Sequence, residues 1–249
     1  MNMFFFGWPS FYGGADTKAA HLLKLLAGHV DITERPADLA SGVTLDADFI
    51  GDSTLAKALG KHLGWDTWIP SLDDSTPQTG KVTKRLRDGT VKQVDFLSGV
   101  VGLTTKDLRR RAITLEVTGV GALRVIHPID VLDSRIQNLN LLIEKRNAAG
   151  LAQGRLAVDV ASAYIRDAVA NRGERQGLKL LERVVDIATD IAAVRVFLLY
   201  GIDPLQAVPI DSFTTTSALH RKRWPQVIGE VARQREALRK LMTKRSNQT

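Results

Sequence analysis

The chain has 249 residues, of which 44% are hydrophobic and 24% are charged, an ordinary globular composition. It contains no cysteine, which excludes disulfides, thiolate nucleophiles and cysteine-based zinc sites, and no apolar run approaches the roughly 20 residues that cross a bilayer. The net charge is +7, but residues 221–249 hold nine basic and two acidic residues, so the first 220 residues are neutral overall. We therefore expect a cytoplasmic protein with no membrane attachment and a basic C-terminal segment.

The first half of the chain mixes helical and strand patterns. An apolar start is followed by Gly13-Gly14, and helical periodicity begins after this pair. Asp52-Ser53 is a typical N-cap for a helix that begins at Thr54. The predicted elements are a helix at 15–26, strands at 30–33 and 43–50, and a helix at 54–63.

Residues 81–87 and 90–97 form the clearest predicted hairpin. They flank Asp88-Gly89, a favoured pair for a two-residue type I′ turn. That turn sets Val82 opposite Asp95 and places two further residues on the Asp95 face of the sheet. Those residues are Lys84 and Gln93. Further strands are predicted at 113–117 and 123–126.

The second half is predicted to be helical. Apolar residues from Ile129 to Ile143 recur at helical spacing, and Pro128 lies close to the start, where proline is tolerated. Further helices are predicted at 155–168, 174–199 and 225–244. The fold class is therefore α+β, with an α+β domain at 1–126 and a helical domain at 127–249 that ends in a basic helix.

Three aspartates are the strongest candidates for chemistry. Asp46 and Asp48 alternate in a predicted strand and so share one face, where two repelling carboxylates are best explained by a cation such as Mg²⁺. Asp95 lies among apolar residues in a later strand, which costs free energy unless the carboxylate is paired or binds a metal. A solvated strand edge is the alternative for the first two. For Asp95 with Lys84 the alternatives are a phosphate-binding surface and a simple cross-strand ion pair.

The order of these features resembles the nucleotidyltransferases of the DNA polymerase β superfamily. In that pattern a Gly-Gly or Gly-Ser turn precedes Asp-x-Asp, and a third acid follows on another strand. The corresponding residues here are Gly13-Gly14, Asp46 with Asp48, and Asp95. The block from Thr44 to Phe49 is also similar to that of abortive-infection toxin-type members, which links the chain to toxin–antitoxin-like systems.

The resemblance implies a metal-dependent transfer of a nucleoside monophosphate from an NTP to an acceptor hydroxyl. Two Mg²⁺ ions, with Mn²⁺ as the alternative metal, would be held by Asp46, Asp48 and Asp95, and Asp95 would help to remove the acceptor proton. The fold it implies is a nucleotidyltransferase-like mixed sheet flanked by helices. The residues expected to contact the nucleotide are Gly13, Gly14, Thr44, Lys84, Lys145 and Arg146.

The basic C-terminal segment is open to two interpretations. It is either a solvated helix or a surface that follows the phosphate backbone of an acceptor RNA, such as tRNA. Two rivals to an active enzyme also remain: a catalytically silent nucleotidyltransferase-like domain that binds nucleotide or RNA, and a purely structural protein. The sequence identifies neither the NTP nor the oligomeric state.

Overall fold

The computed structural model describes residues 46–246 except 75, 88, 90 and 118–120. The side chains at 46–47, 115–117, 121–123 and 245–246 are also outside the described part. The helix expected at 15–26 and the strand expected at 30–33 therefore lie outside the described residues. The chain divides into two compact units, the first ending at His127 and the second beginning at Pro128. The architecture is mixed α+β, as expected from the sequence.

A mixed four-stranded sheet is the framework of the first unit. Its strand order is β1-β4-β3-β2. The β1–β4 pair is parallel, whereas β3 pairs antiparallel with both β4 and β2. A separate antiparallel pair is formed by β5 and β6. The strands are β1 (Asp46–Ile50), β2 (Asp66–Trp68), β3 (Gln78–Arg85), β4 (Val91–Leu97), β5 (Ile113–Val117) and β6 (Gly121–Val125).

Helix α1 (Ser53–Leu63) covers one face of the four-stranded sheet. Asp52 caps its N-terminus, since the Leu55 N–H donates to Asp52 Oδ1 at 3.0 Å. The apolar side of the helix packs against alternate residues of the strands, and the Phe49 and Phe96 rings stack with centroids 6.0 Å apart. The buried core consists of Phe49, Leu55, Ala56, Leu59, Val82, Val94 and Phe96. A short helix, α2 (Thr105–Arg111), precedes β5.

The described part of the second unit is helical and has its own larger core. The helices are α3 (Pro128–Leu141), α4 (Ala148–Arg172), α5 (Glu174–Thr189), α6 (Ile191–Tyr200) and α7 (Trp224–Ser246). Short 3₁₀ segments lie at Ile143–Lys145, Pro204–Ala207 and Ile210–Ser212, and a π-helical turn at Leu219–Arg223 leads into α7. Fully buried residues such as Ile136, Ile165 and Leu181 join these helices in one core.

The single helix predicted at 174–199 is wrong, because the chain breaks at Asp190. This residue adopts extended backbone angles, and its Oδ1 accepts from the Ala192 N–H at 2.7 Å. The aspartate thereby ends α5 and caps α6. Apolar periodicity continues on both sides of the break, so periodicity alone did not reveal it.

In the described residues no single helix is long and apolar enough to cross a membrane. The neighbouring segments Ile191–Tyr200 and Pro204–Ser212 are long and apolar enough only when taken together, and the chain bends by 99° between them.

Candidate functional site

Parallel pairing of β1 with β4 brings two of the predicted acids together. Asp48 is the register partner of Asp95, and Asp46 is the register partner of Gln93. The neighbours Phe49 and Phe96 belong to the core on the other face. Since side chains alternate along a strand, Asp48 and Asp95 lie on the sheet face opposite that core.

Asp95 is almost completely buried, with 4% of its surface exposed. Each of its carboxylate oxygens accepts a hydrogen bond from a glutamine amide. Gln78 Nε2 donates to Oδ1 at 3.0 Å, and Gln93 Nε2 donates to Oδ2 at 2.5 Å. Lys81 Nζ lies 3.8 Å from Oδ1 and forms an ion pair with it. These three groups offset the cost of burying a charge.

The register expected for the hairpin is wrong by one residue. Lys81, not Val82, lies opposite Asp95, and the last ladder pair joins Arg85 to Val91. The connection therefore runs from 86 to 90, longer than the expected two-residue loop. The physical reason is burial: Val82 pairs with Val94 in the core, whereas the two-residue loop would have placed it opposite a charged carboxylate.

The corrected register changes the role of Lys84. Its register partner is Lys92, on the face opposite Asp95, and its Nζ lies 5.9 Å from the centroid of the Trp65 ring. The expected position of Lys84 beside Asp95 is therefore wrong, whereas Gln93 shares the Asp95 face as expected. The lysine beside the carboxylate is Lys81, which the sequence reasoning missed. Matching apolar with apolar residues across the hairpin would have found it.

The third acid of the predicted triad, Asp46, belongs to β1 by its backbone, but its side chain lies outside the described part. Among the side chains that are described, no group of three or more His, Cys, Asp or Glu is placed to hold a metal ion. Asp48 and Asp95 are therefore the two acids of the predicted triad whose side chains are described. Their oxygen donors are of the type that Mg²⁺ prefers.

The remaining predicted nucleotide contacts fall into two groups. Gly13, Gly14 and Thr44 lie outside the described residues. Lys145 and Arg146 lie in the second unit, after α3. Lys145 is exposed in a 3₁₀ turn, whereas Arg146 caps the end of α3 by donating from Nε to the Leu139 carbonyl at 3.0 Å and from Nη2 to the Asn140 carbonyl at 2.5 Å.

Part of the basic C-terminal segment is engaged within the second unit. Arg223 forms a two-pronged contact with Glu182, at 3.0 and 2.6 Å, and this hydrogen bonding holds the pKa of Glu182 below its ordinary value. Arg235 forms an ion pair with Asp203 at 2.6 Å. In α7, Arg233, Lys240 and Lys244 are exposed at spacings of seven and four residues, which place them on one helix face, and Lys240 also forms an ion pair with Glu236 at 3.6 Å.

A comparison of the chain with protein-family models, curated proteins and solved structures found no match.

Proposed function

We propose that the protein is a metal-dependent nucleotidyltransferase that uses Asp46, Asp48 and Asp95 to transfer a nucleoside monophosphate from an NTP to an acceptor hydroxyl. The observation that supports this most directly is the register of Asp48 with Asp95 on adjacent parallel strands. Adjacent strands lie about 4.8 Å apart. Carboxylates at paired positions of adjacent strands repel each other, and a cation between them would relieve the repulsion.

The chemistry of the donor set fits a hard divalent cation. Both described acids supply oxygen ligands, and Asp46 precedes Asp48 by two positions on the same strand. Each oxygen of Asp95 accepts one amide hydrogen bond and has a second lone pair with which it could bind the ion. A bound Mg²⁺ would supply charge neutralisation for the triphosphate and the attacking oxygen.

The residues of the chain would carry the other parts of the reaction. Lys81, which is 30% exposed at its side chain, would place a positive charge beside the phosphates. Asp95 would accept the proton of the acceptor hydroxyl at a carboxylate oxygen. The acceptor that we propose is RNA, held by the exposed face of α7 that carries Arg233, Lys240 and Lys244.

The test is radiolabel transfer with the full-length protein. Each labelled NTP is incubated with Mg²⁺ and total cellular RNA, and label is sought in RNA, in the protein and in free nucleotide. We expect label in RNA, with a loss of at least about 100-fold in Asp95→Asn, because removing one group that stabilises transition-state charge typically has that effect. Asp107→Asn is the matched control. Asp107 is a carboxylate of the same unit that pairs with Arg110 at 2.8 Å in α2, and its loss should leave transfer unchanged.

A second candidate is a catalytically silent nucleotidyltransferase-like domain that binds nucleotide or RNA. It is favoured by the same amide contacts, since a carboxylate already satisfied by Gln78 and Gln93 needs no metal. A rise in melting temperature with Mg²⁺ and NTP, but no label transfer, would favour this candidate. No shift with Mg²⁺ and NTP, no transfer and no binding of RNA would together refute both candidates and leave Asp95 as part of a structural network.

A further inference from the structure

A cavity of about 450 Å³ lies within the second unit, between α6, the 3₁₀ segment Pro204–Ala207 and α7. Its size is within the roughly 300–1,000 Å³ of small-molecule sites. Aromatic and aliphatic side chains, among them Phe197, Trp224 and Ile228, form much of its wall. A few polar groups lie among them, and this combination is typical of a ligand site.

Arg235 and Asp203 both line the cavity and are called its polar floor here. The Arg235 guanidinium lies over the Phe197 ring, 3.6 Å from its centroid, and donates from Nη2 to Asp203 Oδ1 at 2.6 Å. The same Oδ1 accepts from the Leu205 N–H at 2.9 Å, which ties the carboxylate to the backbone. The side chains of Arg235 and Asp203 are only 15% and 14% exposed. The polar groups of the floor are therefore held in place before any ligand binds.

One donor of this floor has no acceptor. Arg235 Nε is buried and has no hydrogen-bond partner among the described residues. A buried unsatisfied donor costs about 1–3 kcal/mol. Because Nε is itself buried, a ligand in the cavity does not reach it, and the Arg235 side chain acts as a held part of the lining.

The charges of the lining select against ionic ligands. The lining contains two guanidinium groups and two carboxylates, so its net formal charge is zero. The charged groups also pair with each other, Arg235 with Asp203 and Arg239 with Glu236 at 2.9 Å. A charged ligand would therefore meet no uncompensated opposite charge. Gln206 adds an amide that can both donate and accept hydrogen bonds at the cavity wall.

We propose that this cavity binds an uncharged, planar heteroaromatic ring that carries both hydrogen-bond donors and acceptors on its edge, as a nucleobase does. The ring packs against the aromatic and aliphatic wall, and its edge meets the amide of Gln206 and the polar floor. The ring belongs either to a free nucleoside-sized molecule or to a base of a single-stranded RNA. The site shares no residue with the carboxylate pair of β1 and β4, and its existence does not depend on the proposed transfer reaction.

The test is saturation-transfer NMR on the full-length protein with adenosine, cytidine, indole and benzoate. We expect signals from the nucleosides and indole, and none from the benzoate anion. Ala232→Trp, which fills the cavity from α7, should weaken nucleoside binding at least about tenfold, or about 1.4 kcal/mol. Ala237→Trp is the matched control, because Ala237 is also an exposed alanine of α7 but does not line the cavity.

A second variant tests the polar edge without filling the cavity. Gln206 is exposed, so Gln206→Ala should fold normally, weaken nucleoside binding and leave indole binding unchanged. Asp95→Asn should retain nucleoside binding in this cavity, which separates failure of this proposal from failure of the proposed transfer. An RNA hexanucleotide that binds at least about tenfold more tightly than the nucleosides identifies RNA as the source of the ring, and equal binding identifies a free molecule. The proposal is overturned if no neutral ring binds, if benzoate binds as well as the nucleosides, or if Ala232→Trp binds them normally.

Discussion

The buried carboxylate of Asp95 forms an ion pair with the ammonium group of Lys81, whose Nζ lies 3.8 Å from Oδ1. Lys81→Met should therefore destabilise the protein by about 1–3 kcal/mol, because the buried carboxylate would lose this ion pair. The measurement is urea denaturation near neutral pH.

The control for this change lies three positions along the same strand. Lys84 is exposed on the opposite face of the sheet, so Lys84→Met should change the free energy of unfolding by no more than about 0.5 kcal/mol. Equal effects of the two substitutions would mean that Lys81 does not stabilise Asp95.

Glu182 gives the second unit a pH-dependent contribution to stability. Hydrogen bonding from Arg223 lowers the pKa of Glu182 below its ordinary value of 4.5. For an acid with a lowered folded-state pKa, the stabilisation is present above the unfolded-state pKa and is lost as the pH falls through the folded-state pKa. Glu182→Gln should thus lower the melting temperature at about pH 7, with a contribution of about 0.2–1 kcal/mol for a pair this exposed, and its effect should shrink as the pH falls below 4.5.

The matching control is Glu144→Gln, since Glu144 is an exposed glutamate of the 3₁₀ turn Ile143–Lys145. It should show little difference at either pH. A Glu182→Gln penalty that persists unchanged at low pH would show that the contact stabilises by packing and not by charge.

The structural roles of single residues were predicted correctly where local rules decide them, and incorrectly where tertiary contacts decide them. The N-cap at Asp52 was predicted and is confirmed by its hydrogen bond to Leu55 N–H. The partner of Asp95 was not, because it depends on the register of β3, and a shift of one residue exchanges Lys81 for Val82. The capping role of Arg146 at the end of α3 depends on how the chain turns after Leu141, which no local pattern shows.

At the level of elements, the contact between α1 and the sheet requires a residue without a side chain at Gly80. A Cβ at this position would lie 2.4 Å from Ala56 Cβ and 3.1 Å from Ile69 Cδ1. Gly80→Ala should therefore push α1 from the sheet and cost about 1–3 kcal/mol, the usual range for overpacking. The measurement is the midpoint of urea denaturation.

Gly99→Ala is the comparison for that substitution. A Cβ at Gly99 would meet only Thr105 Oγ1, at 3.9 Å, which is ordinary contact. Its effect should be within about 0.5 kcal/mol of zero. If both alanines behave alike, the approach of α1 to β3 is looser than these distances indicate.

The predictable elements were those with sustained periodicity or a local stop signal. The strand at 113–117 was predicted with its observed bounds, and α1 begins one residue before its predicted start. The first 45 residues lie outside the described part, so the predicted glycine turn and its helix stay predictions. The break at Asp190 was missed because a capping aspartate inside an apolar periodic run is indistinguishable, by pattern alone, from an exposed helical aspartate.

For the whole molecule, the position of charge matters more than its total of +7. Arg223 and Arg235 are engaged in ion pairs, and Arg233, Lys240 and Lys244 form an exposed face of α7 on which Lys240 pairs with Glu236. If this face follows an RNA backbone, replacing its three cations by glutamine should make RNA binding less dependent on salt. The slope of log K against log salt concentration should fall in magnitude by about 2, at roughly 0.7 per single-strand phosphate contact. The measurement is fluorescence anisotropy of a labelled RNA over a series of salt concentrations.

The control for charge alone replaces Lys57, Lys61 and Lys106, three exposed lysines of the first unit, by glutamine. It should leave the salt dependence unchanged. A truncation that removes α7 from residue 233 is unsuitable for this question, because it would also delete Arg235 and its contacts with Asp203 and Phe197. An unchanged salt dependence in the α7 variant would mean that this face is only solvated.

The parallel pairing of β1 with β4 also has a consequence for the time at which the site is completed during folding. Asp48 and Asp95 are register partners although 47 positions (95 minus 48) separate them along the chain. Forming a contact at such a separation costs loop-closure entropy before the contact itself stabilises the chain. Non-local contacts therefore tend to form after local ones. A nascent chain that ends before Leu97 already contains Asp48 but cannot complete the strand that faces it. The carboxylate pair would therefore form late in folding, and an ion would bind to it only after β1 and β4 have paired.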